Sequence, residues 1–271
     1  MKELLKRALT GIIYVFLLLA AVFLSNDAFD FLFLIFGITC IYEFKKIIRL
    51  SGYYIFLAFL ALWWVFVYLL GEIAYQNTLR TVLLVICIAV NLALIGRLFS
   101  KEKLDYTNTQ KFIITLSYIG GGCIFLTMIP YQVHHFAESL IIGIFILIWV
   151  NDSFAYLVGK SIGKNKLFPS VSPKKTIEGF IGGLVFALGA AYLLYKYSDE
   201  LNLQQWLLLA FIVVVTGSIG DLVESKFKRL AGVKDSGAIL PGHGGLLDRL
   251  DSLIFAAPFA YLTLQIFNYV S

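Results

Sequence analysis

Nine apolar stretches, each about as long as a membrane-crossing helix, take up most of this 271-residue sequence. A bilayer core of about 30 Å needs about 20 apolar residues per helix. On that measure the stretches run roughly 8–25, 28–44, 53–71, 80–98, 112–130, 138–159, 177–196, 205–223 and 249–268. Hydrophobic residues make up 60% of the chain and charged ones 14%, against about 45–50% and about 25% in a soluble domain. A water-soluble core of this size could not hide so much apolar surface. The sequence predicts an all-α, polytopic integral membrane protein of about nine transmembrane helices. The first stretch is read as a retained span, because Leu24-Ser25-Asn26-Asp27 is a poor cleavage site.

The net charge of +5 bears on which side of the membrane holds the cations; nucleic acid is not an expected partner. With nine spans and a cytoplasmic N-terminus, 20 of the 22 Lys and Arg residues fall on the cytoplasmic side. Only Arg80 and Lys196 fall opposite. One span more or fewer would break this alternation. Cys40, Cys87 and Cys123 lie in apolar stretches without ligand or disulfide spacing, as buried small residues do.

Spans 1–5 (residues 1–137) hold few polar residues and are read as the structural and dimerisation part. Spans 6–9 (138–271) have longer basic loops and acids at span ends, and are read as the catalytic part of one integral unit. Gly120-Gly121-Gly122, with Gly179, Gly182 and Gly183, lets helices approach closely.

Ionisable groups at membrane depth are costly and point to function. Glu43, Asp152, Glu178, Asp221, Glu224, Asp248 and Asp251 all fall at the basic ends of spans, and six of them crowd into three segments. The first segment is Asn151-Asp152-Ser153-Phe-Ala-Tyr156. In the second, Ser172-Pro173 reads as an N-cap and first helical position. Lys174 and Lys175 would then occupy a first helical turn, where an anion would account for them. In the third, Asp221, Glu224 and Ser225 share a helix face, and Asp248, Asp251 and Ser252 repeat the spacing. Two such faces converge on one hard cation, and Mg²⁺ takes few carboxylates plus phosphate oxygens. The intervening loop carries Lys226, Lys228, Arg229 and Lys234, then Gly242-His243-Gly244-Gly245, with Arg249 beyond. Carboxylates, metal, phosphate and basic groups together make the kit of phosphoryl and nucleotidyl transfer. His243 reads equally as acid, base, phosphate contact or loop support. His134 and His135 lie on the other side without a further metal ligand.

The run Ser225 to Asp251, S-K-F-K-R-L-A-G-V-K-D-S-G-A-I-L-P-G-H-G-G-L-L-D-R-L-D, resembles the signature of the phosphatidate cytidylyltransferase (CDP-diacylglycerol synthase) family. N-D-S-F-A-Y-L-V-G and S-P-K-K-T-I-E-G upstream are similar to it too. The resemblance implies that CTP (or dCTP) and phosphatidate give CDP-diacylglycerol and pyrophosphate, in phospholipid biosynthesis at the inner membrane. It implies Mg²⁺, with a second, monovalent cation such as K⁺, and a homodimer in the bilayer. The family's metal-binding aspartates fall on Asp221 and Asp248. Asp251 and Glu224 join them as candidate catalytic residues. Asp152, Lys174, Lys175, Ser225, Lys226, Lys228, Arg229, Lys234, His243 and Arg249 are the candidate substrate-binding residues.

Two other readings compete. A relative acting on another lipid phosphate, or a polyprenol kinase, shares this chemistry. A transporter predicts midplane acids and paired halves, whereas here the acids sit at one face and no repeat is seen.

Overall fold

The computed structural model describes residues 2–69, 76–100, 106–132, 136–240, 242 and 244–270. Among these the chain is almost wholly helical: α1 (Lys2–Leu24), α2 (Asn26–Ile48), α3 (Tyr54–Trp63), α4 (Gln76–Leu98), α5 (Asn108–Ile114), α6 (Gly121–Met128), α7 (Glu138–Ile162), α8 (Ile177–Tyr197), α9 (Leu203–Leu230) and α10 (Leu247–Val270). A π-helical turn, Thr115–Gly120, joins α5 to α6 in one rod. Another, Trp64–Tyr68, extends α3. Among the described residues six helical rods are long and apolar enough to cross a membrane: α4, the 108–131 rod, α7, α8, α9 and α10. This makes the chain an all-α, multi-pass membrane protein. Leu9–Leu24 and Tyr54–Tyr68 are shorter apolar helices, and α2 is interrupted by Asp27, Asp30, Glu43, Lys45 and Lys46.

The helices start where side chains satisfy their first N–H groups. Ser25 accepts from the Ala28 N–H at 3.1 Å. Thr107 with Gln110, and Asn202 with Gln205, form reciprocal capping boxes at α5 and α9.

The 108–131 rod and α10 form the centre: 83% and 78% of their apolar windows are buried, against 22% for α4 and α8 at the periphery. Close approach at the centre depends on glycine. A Cβ on Gly122 would collide with the Ile254 carbonyl of α10, and one on Gly121 with the Cys87 sulfur of α4. Gly179 and Gly183 likewise let α8 lie against Ala155 and Asn151 of α7. The glycine stretches are thus packing surfaces.

One expectation is overturned. Ser172–Thr176 does not open a helix; it is strand β2, paired antiparallel with β1 (Lys166–Phe168). The cap is Thr176, whose hydroxyl accepts from the Gly179 N–H at 3.1 Å. The acid Glu178 then falls in the first turn of α8, where the helix dipole favours it. Glu178 accepts from the Lys164 and Asn165 N–H groups at 3.1 Å each, tying the hairpin to α8. Lys174 and Lys175 therefore stand on a strand, not on a helix N-terminus.

Candidate functional site

α9 brings the first carboxylates. Asp221, Glu224, Ser225 and Lys228 stack at i, i+3, i+4 and i+7 along one face. The Ser225 hydroxyl donates to Asp221 Oδ1 at 3.1 Å. Lys228 ion-pairs with Glu224 in its own helix. It also reaches across to Asp248 at the start of α10, with Nζ to Oδ1 at 2.6 Å. Asp248 accepts further from the backbone N–H groups of Ser236 (2.9 Å to Oδ2) and Gly245 (2.7 Å). One turn on, Asp251 is buried, and its Oδ1 accepts from the Ser252 N–H at 2.6 Å.

From the other side the β1–β2 hairpin inserts Lys175, which ion-pairs with Asp221. Burial alone would push the Lys175 ammonium down, but the carboxylates of Asp221, Asp152 and Asp251 outweigh it and hold it above the usual lysine range. Asp152, on α7, accepts from the neighbouring Asn151 amide at 3.2 Å. The mutual repulsion of these acids is therefore already offset by Lys175 and Lys228.

Two cavities meet at these residues. The larger, about 500 Å³, is bounded by Asp152, Asp221, Asp248 and Asp251 with Lys228 and Arg249, and closed by Thr10, Gly11 and Tyr14 of α1. The smaller, about 310 Å³, is lined by Lys160, Lys174 and Lys175 and by the apolar Ala155, Tyr156, Leu167 and Phe180. Asp152 and Asp221 line both.

Not every candidate joins this group. Lys226 donates to the carbonyls of Arg97, Leu98 (3.0 Å) and Ser100 (2.7 Å), closing the C-terminus of α4. Arg229 spans the Val171 (3.4 Å) and Val233 (3.2 Å) carbonyls and braces the loop. Lys234 is exposed in the loop and lines neither cavity. His243 lies outside the described residues.

Sequence reasoning noted Glu43 among the membrane-depth acids without assigning it to the site, and passed over Ser236. Glu43 of α2, 1% exposed, accepts from the Ser236 hydroxyl (3.0 Å) and from the Leu246 and Leu247 N–H groups (3.1 and 2.8 Å). Ser236 itself stands between Glu43 and Asp248. The signal for Glu43 was a lone acid in an apolar span; nothing in the sequence marked its partner.

A divalent cation fits this donor set in one way. Among the described residues no three His, Cys, Asp or Glu side chains form a ready-made cage. Four carboxylates nevertheless face one cavity, and Glu224 Oε1 beside them is buried without a hydrogen-bond partner. Such a wall suits an ion that takes one or two protein oxygens and completes its shell with phosphate oxygens.

The chain is similar to a phosphatidate cytidylyltransferase of Staphylococcus aureus (strain COL), 44% identical over 161 residues, which is 59% of this chain and 60% of that protein. It is similar over the same shares to the phosphatidate cytidylyltransferases of Staphylococcus haemolyticus (strain JCSC1435), 42% identical, and Staphylococcus saprophyticus subsp. saprophyticus, 41% identical. The matched region spans about three fifths of the length of these curated relatives. The family model described as "Cytidylyltransferase family" matches residues 5–267, nearly the whole sequence, and the chain belongs to that family.

Proposed function

We propose that this protein is a phosphatidate cytidylyltransferase, converting CTP and phosphatidate to CDP-diacylglycerol and pyrophosphate. The observation that carries the reading is the pair of adjoining cavities sharing Asp152 and Asp221. One is large and charged, as a nucleoside triphosphate requires. The other combines three lysines with apolar walls, as a lipid phosphate requires. The relatives' names and the family match support the same conclusion.

In the reaction, a phosphatidate phosphate oxygen attacks the α-phosphorus of CTP. The bond from that phosphorus to the β-phosphate bridging oxygen breaks, and pyrophosphate leaves. The nucleophile is an anion at neutral pH, so the protein supplies positioning rather than a strong base. Lys174 and Lys175 hold the lipid phosphate. Lys228 and Arg249 face the triphosphate across the larger cavity. Asp221 and Asp248 would hold Mg²⁺, which when bound neutralises charge on the transferring phosphoryl oxygens. Asp152 separates the two chambers and fixes the approach of one phosphate to the other. A second, monovalent cation and a homodimer belong to the same reading, as the family resemblance implies.

Nine crossings with the N-terminus in the cytoplasm place this site at the cytoplasmic face. What supports that arrangement is the 20-to-2 partition of basic residues. Contacts also divide between two ends. Lys226 with Ser100, Lys175 with Asp221 and Glu43 with Ser236 gather at one. Tyr131 with Asp30, Ser139 with Glu200 and Asn268 with Gln132 gather at the other. Single cysteines at Ser170 and Gln132, in a background lacking the three buried native thiols, are expected to label from opposite sides. Labelling from one side would overturn the topology.

The activity is tested with purified protein, labelled CTP and a panel of lipid phosphates. Phosphatidate is expected to give labelled CDP-diacylglycerol with stoichiometric pyrophosphate. Preference for a polyprenyl phosphate would replace the substrate assignment. Absence of cytidylyl transfer to any lipid would end the reading.

A further inference from the structure

Glu43 lies on α2, far in sequence from the acids of α9 and α10. Its carboxyl group nonetheless accepts three hydrogen bonds from the 231–246 loop and the start of α10. It takes the Leu246 and Leu247 N–H groups, two of the otherwise unpaired donors at the start of α10. It also takes the Ser236 hydroxyl, ten residues earlier in the 231–246 loop. Ser236 and the residue just before Leu246 also hold Asp248. The Ser236 N–H donates to Asp248 at 2.9 Å and the Gly245 N–H at 2.7 Å. Glu43 and Asp248 are thus joined through Ser236 and accept from consecutive backbone N–H groups, Gly245 for Asp248 and Leu246 and Leu247 for Glu43. Gly237 and Gly245 permit the close fit: a Cβ on either would strike the Glu43 carboxylate. The burial of Glu43 leaves no water to substitute for it.

We infer that Glu43 is the positioning residue for Asp248: it ties Ser236 to the start of α10 and so fixes the direction in which Asp248 presents its carboxylate. This rests on the cytidylyltransferase reading for the role of Asp248, but the tie itself is independent of it. Mere packing does not explain the arrangement. A structural acid would need partners anywhere in its surroundings, whereas these three donors come from the loop and helix start that carry Asp248. Ser236 joins the two carboxylates through its hydroxyl and its amide.

The test compares wild type with Glu43→Gln and Ser236→Ala in the full-length detergent-solubilised protein. Glutamine keeps the size of the side chain but sets an NH₂ group against backbone donors. Ser236→Ala removes the hydroxyl link and leaves the amide bond to Asp248 in place. Glu43→Gln is expected to lower kcat about 30-fold or more, with KM for CTP and for phosphatidate changed less than about threefold. Ser236→Ala should lower kcat about three- to tenfold, and the double variant should be close to Glu43→Gln alone, since both cut one connection. Hydrogen exchange of amides in 236–247 should rise at least tenfold in Glu43→Gln, with the thermal midpoint nearly unchanged. A kcat within threefold of wild type, or a loss matched by an equal loss of folded protein, would overturn the positioning role. If wild-type protein transfers no cytidylyl group, the parent reading fails, and the exchange measurement still decides the tie: unchanged protection of 236–247 in Glu43→Gln overturns it.

Discussion

Asp248→Asn is expected to lower cytidylyl transfer by about 10³-fold or more, roughly 4 kcal/mol of barrier. The substitution keeps the shape of the side chain and removes its negative charge. Asp248 faces the larger cavity while accepting from Lys228, Ser236 and Gly245. Three fixed donors leave it one orientation, so the charge lost is lost at one defined place. Asp221→Asn should behave alike, because Asp221 lines both cavities. The double variant should be little worse than either single one, since residues serving one ion act as a unit. Asp251→Asn and Glu224→Gln should cost less. Turnover measured across a Mg²⁺ titration for each variant checks this set. Near-normal turnover and Mg²⁺ dependence in both Asp248→Asn and Asp221→Asn would place the reacting centre elsewhere.

The largest stability effect is expected at Lys228. Its ammonium lies between Glu224 and Asp248, with side-chain exposures of 10%, 0% and 10%. Removing one partner from a buried ion pair leaves an uncompensated charge, a loss of about 3–5 kcal/mol. Lys228→Met fills the same volume with no charge and should destabilise the solubilised protein by that amount. Adding Glu224→Gln should restore much of it, because the orphaned carboxylate is then gone. Denaturant unfolding in mixed micelles measures both. A loss below about 1 kcal/mol for Lys228→Met would mean that water or another cation reaches Glu224.

Much of the candidate site was legible in the sequence, because helical spacing is local. Asp221 and Ser225 at i, i+4 do meet, and Lys228 follows on the same face. Asp152, Lys174, Lys175 and Arg249 also reach the cavities. What was not legible depended on partners distant in the chain. Lys226 is basic and sits one residue from Ser225, yet it points the other way and closes the end of α4. Arg229 braces carbonyls rather than a cavity. A count of loop charges cannot separate such roles, since a C-terminal carbonyl attracts a lysine as a phosphate does. Ser172-Pro173 misled for a different reason. The pair suits a helix start, but the chain has a better cap four residues on, at Thr176. The intervening residues then pair with β1. The pairing of Lys175 with Asp221 was not legible either, because it joins a strand to a helix 46 residues further on.

The tie between Glu43 and the start of α10 has a consequence for how the chain is made. Its hydrogen bonds join residues 203 and 204 positions apart. Helices enter a membrane in order from the ribosome, so α2 is in place long before its partner exists. Until then the Glu43 carboxyl group lies in an apolar segment with none of its three donors. α10, made long after α2, completes the pocket around Glu43. A nascent chain halted before residue 246 lacks two of the N–H groups that Glu43 accepts from. The surroundings of Glu43 are complete only when two distant parts of the sequence are joined.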